Sequence, residues 1–138
     1  MLAIAAVVFT GCGKYEDGPD FSLRSKNARL QGEWEMTKAD GPYFNYNGSV
    51  YTNPDGFSQP YTYSMTLEKD GTFESEQQYS SFGLNVQKDY WSWFDGASSK
   101  EMLYLPDFYL LKVVKLTSKE LVLTAAYDAD VTYEFEKK

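Results

Sequence analysis

Leu30-Gln31-Gly32-Glu33-Trp34-Glu35-Met36 decides the fold. Its large apolar side chains recur at every second position, with Glu33 and Glu35 between them, so one face of an extended strand is apolar and the other charged. Gly32 lets the backbone bend as the chain enters a sheet, and Trp34 is large enough to close the end of a narrow cylinder. The stretch reads as the first strand of a closed antiparallel β-barrel, with Gly32 and Trp34 as its structural plug. Ahead of it, residues 22–30 form the one helical candidate, with Ser22 or Ser25 as N-cap and Leu23 and Leu30 a heptad apart. So short a helix needs packing to persist, and the barrel end beneath Trp34 offers it.

Downstream, strand and turn alternate. Tyr61, Tyr63, Met65 and Leu67 share one face, and Lys69-Asp70-Gly71-Thr72 turns the chain into Phe73, Ser75, Gln77 and Tyr79, an Asp-Gly hairpin. Residues 84–94 form the next strand. There Leu84 and Val86 occupy even positions but Trp91 and Trp93 odd ones, so a bulge near Asp89-Tyr90 is expected to bring all four inside. Strands follow over residues 101–105, 109–116, 120–127 and 131–135, joined by turns at Thr117-Ser118-Lys119 and Asp128-Ala129-Asp130. The fold predicted is all-β: an up-and-down barrel of about eight strands with a short N-terminal helix.

Residues 40–60 interrupt the pattern. Gly41-Pro42, Asn47-Gly48 and Asn53-Pro54-Asp55-Gly56 are turn signals interleaved with Tyr43, Phe44, Tyr46, Tyr51 and Phe57. The stretch reads as a long aromatic loop with its own hairpin at Asn47-Gly48, placed as a lid over the barrel's open end or packed on its outer wall.

Composition removes several functions. The 138 residues contain no His, which excludes the Ser-His-Asp triad and most zinc and iron sites. Cys12 is the only cysteine, so no intrachain disulfide forms. The net charge of −7, with 13 basic residues scattered among 20 acidic ones, argues against nucleic acid as a partner. No paired-carboxylate spacing stands out, so no catalytic residue, cofactor or metal is assigned and the chain is not read as an enzyme. Asp128 and Asp130 supply too few oxygens for calcium and read as turn acids.

Residues 1–9 are uninterruptedly apolar and end at Thr10-Gly11-Cys12, too short to span a bilayer and right for the core of an export signal. The ending resembles a bacterial lipobox, in which the Cys is acylated and becomes the mature N-terminus. No Lys or Arg precedes the apolar run, so the true start is expected upstream. Residues 1–11 are assigned as lipoprotein signal peptide, 12–21 as a flexible Gly-, Pro- and acid-rich tether with Cys12 as the lipidation site, and 22–138 as the barrel domain.

Taken in order, Leu30-Gln31-Gly32-Glu33-Trp34 after a short basic helix, Lys69-Asp70-Gly71-Thr72-Phe73, Trp91-Ser92-Trp93 and the run Leu116 to Leu123 resemble the small lipocalin-like lipoproteins of Bacteroidetes-type bacteria, within the wider calycin group of eight-stranded barrels. The resemblance implies a lipocalin-like barrel on a lipid anchor at the bacterial outer membrane, on its periplasmic face or at the cell surface. No Arg follows Arg29, so the late Arg that stacks on the first-strand Trp in well-studied lipocalins has no counterpart unless Lys137 or Lys138 takes its place. The Thr-Asp-Tyr element of those proteins is also absent.

An open lumen would be lined by Tyr61, Tyr63, Phe73, Tyr79, Trp91, Trp93, Tyr133 and Phe135, with Gln77 and Lys112 as its polar groups. Lys112 lies between Leu110 and Val114 on one strand face; an inward Lys there would call for an anionic amphipathic ligand. The leading expectation is a small apolar or amphipathic ligand held in the lumen. The alternative is a filled barrel that meets an envelope protein partner through the aromatic loop.

Overall fold

The computed structural model describes residues 25–79, 83–94 and 101–138. Ser25 caps the first element: its hydroxyl accepts the Ala28 N–H at 3.1 Å and starts helix α1 (Lys26–Leu30). Residues 22–24 of the predicted helix, Cys12 and the signal and tether segments lie outside the described residues. The chain then runs through β1 (Gly32–Gly41), β2 (Phe44–Tyr46), β3 (Val50–Thr52), β4 (Ser58–Leu67), β5 (Thr72–Tyr79), β6 (Gly83–Tyr90), β7 (Ser92–Trp93), β8 (Met102–Leu105), β9 (Tyr109–Leu116), β10 (Glu120–Ala125) and β11 (Asp128–Lys137). All ladders are antiparallel.

The architecture is an all-β antiparallel barrel with a short helix at its N-terminal end, built from eleven strands rather than about eight. Two of the extra strands are the β2–β3 hairpin. It wedges between β1 and β4 where those two part company after Glu35↔Ser64, so β1 continues against β2 (Ala39↔Tyr46) and β4 begins against β3 (Val50↔Pro60). The third comes from a corner at Trp91. Residues 83–90 pair with β5 and residues 92–93 with β8, so one continuous stretch changes partner and closes the cylinder. Both ring and backbone hold that corner on the Asp70-Gly71 turn: the Trp91 N–H donates to Gly71 O at 2.9 Å and its Nε1–H to Glu68 O at 3.0 Å.

This corner replaces the expected bulge at Asp89-Tyr90, since the β5–β6 ladder is regular from Thr72↔Tyr90 to Tyr79↔Gly83. Before the corner, β6 has neither face covered among the described residues, which leaves Leu84 and Val86 59% and 47% exposed instead of interior.

Register shifts lie elsewhere, on β1, β9 and β11. Between Met36 and Lys38 strand β1 carries one more residue than β11 opposite it, and the inward face shifts from Trp34 and Met36 to Ala39. Strand β9 does the same between Val113 and Lys115 against β10, so that Leu111, Val113 and Leu116 point in. Lys112, with Leu110 and Val114, therefore shares the outward face, and Lys112 is exposed. The expectation that Lys112 lines the lumen is corrected accordingly.

Below the hairpin the barrel is solid. Met36, Met65, Leu67, Phe73, Leu103, Leu105, Leu111, Leu121, Leu123 and Phe135 interdigitate in one buried cluster. Trp34 seals the bottom with no exposed surface, its Nε1–H donating to Leu30 O at 2.8 Å. Lys137, at the end of the last strand, lays its ammonium 4.7 Å from the Trp34 ring centroid and donates to Arg29 O and Gln31 O, both at 2.7 Å. A Cβ at Gly32, where φ is +127°, would stand 3.2 Å from Lys137 Cε, so glycine is what lets the lysine pass.

Truncating the core and truncating β6 should cost very different amounts. Leu123→Ala is expected to lower unfolding free energy in urea by about 2–5 kcal/mol, whereas Leu84→Ala should stay within about 0.5 kcal/mol of wild type. Equal losses would mean that β6 is covered after all.

Candidate functional site: an aromatic cup at the open end

The end opposite Trp34 is not filled. A cavity of about 370 Å³ opens to solvent there, lined by Met36 and Ala39 from β1, Phe44, Tyr46 and Tyr51 from the hairpin, Gln59 and Tyr61 from β4, Tyr79 from β5, Phe108 from the β8–β9 turn and Tyr133 from β11. Seven of these are aromatic and none is charged. A larger hollow beside Thr66 and Tyr90 lies on the outside of the β5–β6 hairpin and is lined by four charged residues, Glu68, Glu74, Lys88 and Asp89, whereas ligand sites are predominantly apolar.

Local chemistry builds each wall. Asn47 makes the β2–β3 turn by accepting the N–H groups of Ser49 and Val50 at 2.9 and 2.8 Å, and Gly48, with φ +98°, sits where a Cβ would stand 3.0 Å from Thr37 O. The hairpin is thereby pressed onto the β1 bulge, and its rings face inward. Phe44 stacks at 6.4 Å on Tyr51 and 6.1 Å on Tyr133. Tyr46 meets Tyr61 edge-on at 5.4 Å and donates its hydroxyl to Tyr61 O at 2.8 Å. Across the mouth, the β8–β9 turn is closed by the Phe108 N–H donating to Leu105 O at 3.0 Å, with Pro106 setting its first corner. Tyr109 follows at φ +65°, the one described non-glycine residue with positive φ, and this twist sends Phe108 inward to lie 4.6 Å from Tyr133.

The polar groups are tied to one another. Tyr61 and Tyr79 both donate to Gln77 Oε1, at 3.1 and 2.9 Å. Beneath them Tyr63 donates to Asp107 Oδ2 at 2.8 Å. Burial, then the neighbouring Tyr79 and Asp107, push the Tyr61 phenol far above its ordinary value. Burial and the Asp107 charge do the same to Tyr63, and burial with Glu35 raises Tyr46. Tyr133 is pushed up to about 12 by burial and Tyr127. All four are neutral phenols at physiological pH.

Of the residues expected to line a lumen, Tyr61, Tyr79 and Tyr133 line the cup and Gln77 braces it. Tyr63, Phe73 and Phe135 lie in the solid core below. Trp91 belongs to the corner, and Trp93 donates its Nε1–H to Asn27 of α1 at the closed end, so neither ring is near the cup. Phe44, Tyr46 and Tyr51 come from the stretch read as an aromatic loop. Met36, Ala39, Asp107 and Phe108 were not anticipated. Pro106-Asp107 between two apolar runs is the turn signal from which Phe108 follows, whereas Ala39 depends on a bulge that leaves no mark in the sequence.

No protein-family model, no curated protein and no solved structure matches this chain.

The raised phenols set an alkaline limit. Unfolded tyrosines ionise near 10.0, so above that pH the unfolded chain releases protons that the folded one retains, and stability falls. The loss should begin near pH 10, continue toward about 12 for Tyr133, and be shallower in Tyr133→Phe. Urea unfolding across this range checks it; identical slopes in the two proteins would contradict the assignment.

Proposed function

We propose that this chain is a lipid-anchored, lipocalin-like protein of the bacterial outer membrane that holds a small apolar or amphipathic molecule in the aromatic cup. The observation that carries the reading is the contrast between the two ends: a buried, packed interior below, and above it a cavity of about 370 Å³ walled by rings. Ligand cavities generally occupy about 300–1,000 Å³ and pair apolar walls with a few oriented polar groups. Here Gln59 and the phenol oxygens supply the polar groups. An anionic ligand loses its support with Lys112 on the outer face.

The family resemblance is supported by the closed end, where Lys137 stands on Trp34 as the late Arg does in lipocalins. The anchor rests on the apolar run ending at Thr10-Gly11-Cys12. Ser25, the first described residue, lies at the closed end, downstream of Cys12. The dozen residues between them reach at most roughly 40 Å. A second reading, a protein partner, is favoured by the 75% and 54% exposure of Tyr43 and Phe57 around the hairpin.

Titration of the full chain with a neutral naphthylamine fluorophore tests the cup. Saturable enhancement is expected in wild type, weakened about tenfold in Tyr51→Ala through loss of ring burial. Absence of saturable binding in wild type would move the reading to the protein partner. For the anchor, radiolabelled palmitate should enter wild type and not Cys12→Ala; equal labelling would remove the lipoprotein assignment.

A further inference from the structure

We infer that the cup takes an organic cation, a quaternary or otherwise alkyl-capped ammonium, in preference to neutral or anionic molecules of the same shape. The inference rests on the cup being a ligand site and adds the charge of what it holds.

Three observations carry it. The walls are aromatic: Phe44, Tyr51, Tyr61, Tyr79, Phe108 and Tyr133 surround one space, and a cation placed over the face of any of these rings is attracted by its quadrupole. Three of the five phenol protons around the cup are already committed within the protein. Tyr46 gives its proton to Tyr61 O, and Tyr61 and Tyr79 give theirs to Gln77 Oε1. What those phenol oxygens retain is lone pairs, which attract a cation and repel an anion.

The third observation is the charge around the cup. Among the described residues no Lys or Arg lines it. Lys112 faces solvent, and Arg29 and Lys137 are engaged at the opposite end with Leu116 O, Gln31 O and Trp34. A fixed negative charge beside the cup is the Asp107 carboxylate, held 2.8 Å from the Tyr63 hydroxyl and one residue from Phe108 in the cup wall. Its field reaches Tyr61 and Tyr63, raising both phenols. The net charge of −7 adds a long-range attraction of the same sign. Alkyl capping matters because a bare ammonium needs several acceptors to replace its water, whereas a quaternary one sheds its hydration more readily and fits a ring-walled space.

Calorimetric titration of the full chain in non-ionic detergent with choline, with its uncharged carbon isostere dimethylbutanol, and with glycerophosphocholine tests the inference. Choline should bind about tenfold or more tightly than dimethylbutanol. The Asp107→Asn variant, which keeps an acceptor for Tyr63, should lose several-fold in choline affinity and nothing for the isostere. Tighter binding of glycerophosphocholine than of choline would identify a lipid headgroup as the source of the cation, and the reverse a free solute; both support the inference. Equal affinity for choline and dimethylbutanol overturns it while leaving the cup a ligand site. Failure of both to bind also overturns it, and the naphthylamine titration then decides separately whether the cup binds anything.

Discussion

The ammonium of Lys137 is the point on which the rest of the barrel depends. It joins the last strand to the first turn of chain by resting on Trp34 and closing the C-terminal carbonyls of α1. Cationic side chains are favoured at helix C-termini and over indole faces, and here one group serves both. Arg29, on the same helix, reaches across to Leu116 O on β9, so the helix is tied to both flanks of the cylinder. With this end closed, β1 and β4 stay paired at the bottom and part above it to admit the β2–β3 hairpin. That asymmetry makes the interior two-tiered.

The lower tier mixes aliphatic and aromatic side chains in one packed cluster, and the upper is aromatic and hollow. The change occurs where β1 bulges at Thr37 and β4 turns from β1 to β3. A regular ladder would carry the same inward face straight up the barrel. The bulge instead rotates β1, brings only the small Ala39 inside, and gives the β2–β3 hairpin room to enter. Opposite it, the left-handed conformation of Tyr109 aims Phe108 and positions Asp107. Such backbone costs of order 1 kcal/mol or more and persists because the surroundings hold it. Rings fixed by their neighbours on all sides cannot collapse into the space they enclose, and the cup stays open.

Much of this was legible in the residues. Asp70-Gly71 makes its turn, with the Thr72 N–H and hydroxyl bonded to the Asp70 carboxylate and holding it below its ordinary range. Asn47-Gly48 makes the predicted hairpin, and β9 spans the predicted residues 109–116. What alternation alone could not supply was phase. Reading Lys112 inward followed from Leu110 and Val114 as its neighbours, yet Leu111 and Val113 form an equally apolar face, and only tertiary packing chooses between them. Leu84 and Val86 misled for a related reason: a strand with apolar residues on alternate positions looks half-buried even when it lies at the sheet's bare edge. The cup was visible in part, through Tyr61, Tyr79, Tyr133 and the aromatic loop. Its floor depended on Thr37, where the backbone departs from regularity without any Gly or Pro to announce it, and its far wall on the turn that Pro106 opens and the positive φ of Tyr109 completes.

We take the hollow upper tier to be the working part of the molecule and the lower tier to be packing. Methyl-labelled nuclear magnetic resonance during titration with an apolar probe tests this most directly. Met36 and Ala39, at the cup floor, should shift progressively and saturate, while Leu103, Leu121 and Leu123 stay in place. Saturating shifts at Leu84 and Val86 on the β6 edge, with Met36 and Ala39 unmoved, would contradict it.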